Sequence, residues 1–247
     1  MIADAEDRGS LDKIRELTAN RAAAFLQLPT PDDPAAFMDA IGGRVSPERL
    51  NDLRLAIIET FKSTTWFREA YFSCARNLLD TIVGNELAMQ RGVGFSIQLP
   101  NDEQSLLPLH SDAWSEDSPF EIVLWIPLVD VYRTKSMFIL PLAHEARWRE
   151  KMPQYAEGGV AALFRDMEAD LQWLDIPYGK VLLFTHTLMH GNHVNHEATA
   201  RWSTNVRFKA LFTPYSDKRL GDFFDPITIR AASRIGMTYE QPRGFTE

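Results

Sequence analysis

Arg201-Trp202-Ser203-Thr204-Asn205-Val206-Arg207-Phe208-Lys209-Ala210 opens the longest alternating stretch in this 247-residue chain. Side chains on an extended backbone point to opposite faces in turn. Arg201, Ser203, Asn205, Arg207 and Lys209 therefore share one face, and Trp202, Thr204, Val206, Phe208 and Ala210 the other. A solvated outer face is the ordinary explanation for a polar side, and it suffices for Lys209. Two arginines with Ser and Asn between them also suit the wall of a polar cavity that grips an anion. A guanidinium presents a planar fork that matches a carboxylate bidentately.

Outward from this strand, Phe95, Ile97 and Leu99 alternate with Gly94, Ser96 and Gln98, again with period two. Phe120-Glu121-Ile122-Val123-Leu124-Trp125-Ile126 is an apolar run ended by Pro127, the pattern of a strand covered on both faces. Met137-Phe138-Ile139-Leu140-Pro141 and residues 179–184 read as further strands. Residues 160–170 suit a helical insertion and 222–234 a last helix. Before residue 92 the texture is helical. Ser10 is expected to cap a helix carrying Leu11, Ile14 and Leu17, and Asp33-Pro34 and Ser46-Pro47 announce two more. Leu50, Leu53, Ile57 and Phe61 fall three or four apart, on one helix face. Residues 65–89 are expected to be mostly helical, with an interruption at Gly84. Short strands without regular helix alternation point to a sandwich or jelly roll and not to a parallel α/β sheet. The expected fold is mainly β, with a helical N-terminal flank (1–91) packed on a jelly-roll core (92–247) as one integrated domain.

Composition narrows the function classes. The chain is 45% hydrophobic and 24% charged, with a net charge of −8. That balance argues against a nucleic-acid partner. Its apolar runs are too short for a membrane helix, and Met1-Ile2-Ala3-Asp4-Ala5-Glu6-Asp7 lacks the layout of a signal peptide. A single cysteine, Cys74, rules out an intrachain disulfide and reads as a packed side chain. A cytoplasmic protein is expected, with no membrane or nucleic-acid partner.

Leu109-His110-Ser111-Asp112-Ala113-Trp114 carries the chemistry. In an extended segment His110 and Asp112 face the same side and can offer one imidazole nitrogen and one carboxylate oxygen to one ion. Alone, such a pair is also what a surface turn produces. A third ligand is available from His186, His190, His193 and His196. His190 precedes Gly191, which lets the backbone bend and aim the ring inward. His193 and His196 fall in a polar loop and are expected to face solvent. His190 is the preferred third ligand and His186 its competitor.

Taken together, His-x-Asp, the distal His and Arg201-x-Ser203 resemble the iron(II)- and 2-oxoglutarate-dependent oxygenases. The nearer likeness is to the phytanoyl-CoA-hydroxylase-like branch, and within it to oxygenases found sporadically in carbohydrate and surface-polysaccharide gene clusters. It is carried by Gln98-Leu99-Pro100-Asn101-Asp102, Leu107-Pro108-Leu109-His110-Ser111-Asp112, Trp125-Ile126-Pro127-Leu128-Val129-Asp130 and Thr134-Lys135-Ser136-Met137, and covers residues 92–225. The resemblance implies a double-stranded β-helix (cupin-like) core. It also implies His110, Asp112 and His190 as the catalytic iron ligands, Arg201 with Ser203 on the distal carboxylate of 2-oxoglutarate, and Gln98 beside that cosubstrate. Its cofactors would be Fe(II) and 2-oxoglutarate, and its partners O2 and a small-molecule carbohydrate. The reaction would be a hydroxylation in polysaccharide or amino-sugar natural-product biosynthesis. Trp114, Asn205 and Arg207 are candidate substrate contacts, although Arg207 equally suits support of Asp112 or of the cosubstrate. Trp125 reads as core. His144 lies where the family has a Pro-Gly-Ser-His turn and is expected to be structural, with Leu142 in the place of the Gly. Two rivals stand beside this reading: a non-redox cupin-type sugar isomerase or epimerase with His186 as base, and a non-catalytic sugar-binding jelly roll. A homo-oligomer is compatible with all three.

Overall fold

The alternating stretch forms one ten-residue strand, and the reason for its two-sidedness lies in what covers each face. The computed structural model describes residues 1–115 and 117–244; Glu116 and the last residues of the expected core, 245–247, lie outside them. In chain order, β1 (Ile2–Asp4) precedes five helices: α1 (Arg8–Phe25), α2 (Pro34–Asp39), α3 (Pro47–Ser63), α4 (Phe67–Ser73) and α5 (Arg76–Ile82). Then come β2 (Leu87–Gln90), β3 (Gly94–Gln98), β4 (Ile122–Pro127) and β5 (Phe138–Ile139). Helices α6 (Leu142–Lys151) and α7 (Gly159–Met167) interrupt before β6 (Gln172–Trp173), β7 (Lys180–Thr185), β8 (His190–Gly191), β9 (Arg201–Ala210), β10 (Phe224–Thr228) and α8 (Ala231–Thr238).

All strand pairs within the two sheets are antiparallel. The larger sheet has the order β1-β7-β4-β9-β2-β10, with β3 also on β9, and the smaller one is β6-β5-β8. β9 is the hub. Along one edge it pairs with β4, with Arg207 opposite Val123 and Ser203 opposite Pro127. Along the other it pairs with β2 and then β3, with Ser203 opposite Ser96 and Arg201 opposite Gln98.

The N-terminal helices cover the apolar face of this hub. Trp202 is fully buried and its indole N–H donates to the Met38 carbonyl on α2 (2.8 Å). Thr204 donates to the Tyr71 hydroxyl of α4 (3.3 Å), which itself donates to the Leu124 carbonyl of β4 (2.9 Å). Phe208 stacks near Phe72, ring centroids 6.0 Å apart. The α3 stripe Leu50, Leu53, Ile57 and Phe61 is buried throughout. At about 1.5–3 kcal/mol per large apolar side chain, that burial holds a helix whose own propensity would not. With helices on one side, the polar face of β9 is turned inward, toward the smaller sheet.

Several expectations change. Helix amounts to 41% and strand to 20%, so helix outweighs strand and "mainly β" does not describe the chain. Asp7, not Ser10, caps α1: its carboxylate accepts from the Ser10 N–H (2.9 Å) and hydroxyl (2.7 Å). The helical reading of 65–89 ends at Gly84 (φ 133°), and Leu87–Gln90 is a strand. Those four residues are all buried, and an apolar run without periodicity fits either element. The expected last helix at 222–234 is instead β10 followed by α8, and α6 had no expected counterpart. β1 and β2, both before residue 92, belong to the larger sheet, so the helical flank is woven into the core. Lys209 is fully buried: its ammonium donates to the Pro214 carbonyl (2.5 Å) and sits 3.5 Å from the Tyr215 ring centroid. Its aliphatic stem tolerates a burial that the alternation alone does not reveal.

Candidate metal centre and anion site

Three side chains converge between the sheets. One ligand atom each from His110, Asp112 and His190 lies within 4.8 Å of the others. His110 and His190 come from distant segments joined by a backbone bridge: the His110 N–H donates to the His190 carbonyl (2.9 Å) and the His190 N–H to the His110 carbonyl (2.8 Å). The strip before His110 is pinned to the same place. The Asn192 N–H donates to the Leu107 carbonyl (2.8 Å), and the Leu107 N–H to the Asn192 amide oxygen (2.6 Å). Ser111 and Ala113 both donate to the His186 carbonyl, the first through its hydroxyl (2.8 Å) and the second through its N–H (3.1 Å). Asp112 lies between these two anchors, at the start of a short 3-10 turn.

Gly191 contributes space rather than the tight bend expected of it. It lies within β8, and a Cβ there would sit 2.8 Å from the Leu107 carbonyl oxygen, 2.9 Å from that of Pro108 and 2.7 Å from the Phe138 ring. The close approach of strip 107–110 therefore requires glycine at this position.

Both imidazoles are oriented identically. Nδ1 of His110 contacts the Pro108 carbonyl oxygen (2.8 Å), and Nδ1 of His190 that of Leu188 (2.9 Å). A carbonyl can only accept, so Nδ1 is the donor in each ring and Nε2 is the nitrogen left to meet an ion. Burial, and then His110 alongside, push the His190 pKa down to about 4, which keeps the ring in the neutral form a metal needs. Asp112 Oδ1 lies 3.8 Å from His110 Nε2 and accepts from Arg207 Nη2 (3.3 Å). Two imidazole nitrogens and a carboxylate on one side of a point, open on the other, form a donor set suited to Fe(II).

His186 stands behind this trio. It is fully buried, and its Nε2 accepts from Arg207 Nε (3.0 Å), so that nitrogen's lone pair is engaged. Its Nδ1 faces Glu121 Oε2 at 3.4 Å and Asp117 Oδ2 at 3.9 Å. Burial lowers the His186 pKa to about 4, and burial followed by the charge of Asp117 raises that of Glu121 to about 7. His186 thus props Arg207, and Arg207 props Asp112. His193 and His196 are exposed, the former stacked on Phe164 with ring centroids 5.9 Å apart.

The trio opens into a cavity of about 570 Å³, walled by Phe95, Ser96, Trp125, Met137 and Phe184 and by the inward row Arg201, Ser203, Asn205 and Arg207. Gly94 makes room for Asn205, since a Cβ there would lie 2.0 Å from the Asn205 amide oxygen. Arg201 is 3% exposed. Its Nη1 donates to the Ser136 carbonyl (3.1 Å) and its Nη2 to the Ser96 hydroxyl (3.2 Å), while Nε has no partner among the described residues. Buried Lys135, bonded to Asp39 (2.8 Å) and Thr199 (2.7 Å), holds the turn that presents Ser136. Burial, then the nearby charge of Arg54, pushes the Arg201 pKa down to about 10. A buried cation bonded only to neutral acceptors is costly unless an anion joins it.

Not every expected residue arrives here. Gln98 shares the face of Arg201 but is fully buried outside the cavity wall, its amide donating to the His193 carbonyl (2.5 Å). Trp114 is 42% exposed and does not line the cavity. Trp125 is both core and wall. His144 lies in α6, away from the trio. Arg54 of α3, Ser105 and Asn192 line the cavity and carried no signal in the sequence.

No protein-family model and no curated protein matches the chain. Solved structures do. The non-heme monooxygenase ThoJ matches with a TM-score of 0.59 at 12% identity, over 93% of this chain and 80% of that one, and its nickel complex with 0.58 at 11%, over 94% and 82%. HygX from Streptomyces hygroscopicus, with nickel and 2-oxoglutarate bound, gives 0.51 at 14% identity over 89% and 85%. SnoK, a non-heme α-ketoglutarate-dependent carbocyclase from nogalamycin biosynthesis, gives 0.50 at 15% over 69% and 74%. At these identities the likeness is one of fold: the chain folds as non-heme oxygenases do. Among the described residues no helix is long and apolar enough to cross a membrane.

Proposed function

We propose that the protein is an Fe(II)- and 2-oxoglutarate-dependent dioxygenase that hydroxylates a sugar or sugar derivative. The observation that carries this reading is the buried, anion-seeking Arg201 on the wall of the cavity that holds the His110, Asp112 and His190 donors. A metal site alone would serve many reactions. A metal site that shares its cavity with an unpaired guanidinium suits a cosubstrate that chelates through one end and carries a carboxylate at the other.

In this reading His110, Asp112 and His190 hold the iron, and Arg201 with Ser203 receives the distal carboxylate of 2-oxoglutarate. The core is a double-stranded β-helix, and the helices of residues 1–91 are part of the same unit. Bound iron would supply the oxidising chemistry that couples decarboxylation of 2-oxoglutarate to hydroxylation of a substrate C–H bond. The chain's own part is to fix geometry. Arg207 orients the Asp112 carboxylate, and the Nδ1 bonds keep both Nε2 atoms aimed at one point. Phe95, Met137 and Phe184 keep that part of the cavity apolar and restrict water, and Asn205 and Trp125 remain to meet a substrate. A face of aromatic and amide groups suits a sugar. ThoJ, SnoK and HygX lend this support as proteins of like fold, HygX with 2-oxoglutarate bound.

A non-redox isomerase would use the metal but has no need of Arg201, and His186 is poorly placed as its base because Nε2 is occupied by Arg207. The test is a panel of nucleotide sugars and amino sugars incubated with the protein, Fe(II), 2-oxoglutarate and O2. One or more members should raise succinate output and gain one oxygen atom by mass. Isomerised sugar without succinate would establish the rival.

A further inference from the structure

Arg201 is not the only guanidinium at its end of the cavity. Arg54 projects from α3 and also lines the wall. The two arginines address consecutive residues of β3: Arg201 Nη2 donates to the Ser96 hydroxyl, and Arg54 Nη2 to the Ile97 carbonyl. Arg54 Nη2 also donates to the Ser105 hydroxyl (2.5 Å), in the segment that forms the adjoining wall. Like Arg201, Arg54 has a buried Nε with no partner among the described residues. The carboxylate in its neighbourhood, Asp102, stands behind Ser105 and makes no ion pair with Arg54: Asp102 accepts from the Gln104 N–H (2.8 Å) and the Ser105 hydroxyl (2.5 Å), and its charge acts on Arg54 from there. Among the described residues neither guanidinium has an ion pair, whereas Arg207 has two, with Asp112 (3.3 Å) and Asp117 (3.5 Å).

The charge of Arg54 adds to the cost of burying Arg201, and Asp102 offsets the burial of Arg54 only in part; an anion shared by the two guanidiniums would lower the cost for both. We infer that Arg54 and Arg201 together clasp the distal carboxylate of the 2-oxo acid, so that α3 completes the cosubstrate site. The inference rests on the oxygenase reading and extends it: the N-terminal helices are part of the binding machinery as well as a cover for the sheet. A substrate anion is the competing occupant of Arg54. The juxtaposition with Arg201 along β3 favours the cosubstrate, because Arg201 lies at the end of the inward row and Arg207, beside the metal donors, is already neutralised.

The experiment compares two ligands on the full chain loaded with Ni(II), by calorimetry and without primary substrate. 2-Oxoglutarate carries the distal carboxylate; 2-oxovalerate has the same chain with a methyl group in its place. Arg54→Met should raise the Kd of 2-oxoglutarate on the order of tenfold, the loss of one charge-assisted interaction at a half-buried site, and leave that of 2-oxovalerate within about twofold. Arg54→Lys, which keeps the charge and loses the fork, should raise the first Kd by less and leave the second unmoved; it serves equally should the Met variant fold poorly. Equal weakening of both ligands would mean that Arg54 merely ties the wall together, and no change in either would leave it a solvent-screened surface charge; each overturns the inference while the oxygenase reading stands. Wild-type protein that binds neither ligand would overturn both.

Discussion

Replacing Arg201 with Met should make the ligand-free protein no less stable while destroying its response to 2-oxoglutarate. The guanidinium is 3% exposed, and its pKa is driven to about 10 by burial and by Arg54. Measured from an ordinary arginine pKa above 12, that depression corresponds to about 3 kcal/mol held against folding at neutral pH. Met removes this cost and fills much of the volume. In exchange, the Ser136 carbonyl and the Ser96 hydroxyl each lose a donor, at roughly 1 kcal/mol apiece. The two terms nearly cancel, so Arg201→Met should unfold within about 4 °C of wild type in the absence of ligand. With metal present and 2-oxoglutarate at a hundred times its Kd, the wild type should gain about 2.7 kcal/mol, and the variant little or nothing. Thermal unfolding followed by circular dichroism, with and without the 2-oxo acid, reads both effects. A variant several kcal/mol less stable than wild type in the absence of ligand would refute the reasoning, because Arg201 would then be a structural tie and not a site waiting for an anion.

The histidines separate by role. His110→Ala and His190→Ala should each abolish binding of divalent metal by calorimetry, while His193→Ala and His196→Ala leave it unchanged. His186→Ala should keep the metal within about tenfold but cost about 2 kcal/mol or more of stability, since it removes the acceptor of Arg207 Nε and leaves a void against buried Glu121; metal lost only in His186→Ala would reverse the ligand assignment. In the metal-free protein stability should fall with acid. His186 and His190, both held near 4, contribute stability that is complete above about pH 6.5 and is lost as pH falls toward 4. Glu121, raised to about 7, acts in the opposite sense, its contribution present at low pH and lost as pH rises through 7. The unfolded chain thus binds about one proton more between pH 5 and 6, and the unfolding free energy read from urea titrations should fall by about 1.4 kcal/mol for each unit the pH is lowered; Glu121→Gln should roughly double that slope, and an unchanged slope would show that Glu121 does not titrate in this range. Gly191→Ala should cost about 1–3 kcal/mol and weaken metal binding, because its Cβ meets two backbone oxygens below 3.0 Å; a fully stable, metal-binding variant would show that strip 107–110 has room to move.

Much of the site was legible because its signals are local. Alternation at 201–210 fixes which side chains share a face, His-x-Asp fixes two donors, and the polar row names Arg201. What alternation does not fix is which face looks inward. Trp202 and Phe208 could have faced the only core, with Arg201 in solvent; in the structure both faces are covered, and Lys209 is carried inside with its row. The length of β9 was evident, but β1 and β10 are short and recruited by partners far away in sequence. Leu87-Ala88-Met89-Gln90 is buried on both sides and has no period to reveal a strand. Gln98 shows the limit of reading a role from a shared face: its register partner is Arg201, yet its amide is captured by the His193 carbonyl. Arg54 was hidden for a related reason. The amphipathic pattern of α3 marks the stripe that packs, and says nothing about a charged residue beside it that meets the edge of a sheet.

Succinate formation from 2-oxoglutarate by purified protein with Fe(II) and O2, followed by mass spectrometry, tests directly whether this metal site and Arg201 serve one oxygenase reaction. Succinate should require both iron and oxygen, disappear in Asp112→Ala and fall steeply in Arg201→Met. Metal binding at His110, Asp112 and His190 with no affinity for 2-oxoglutarate, and no succinate with or without any sugar, would contradict the oxygenase reading.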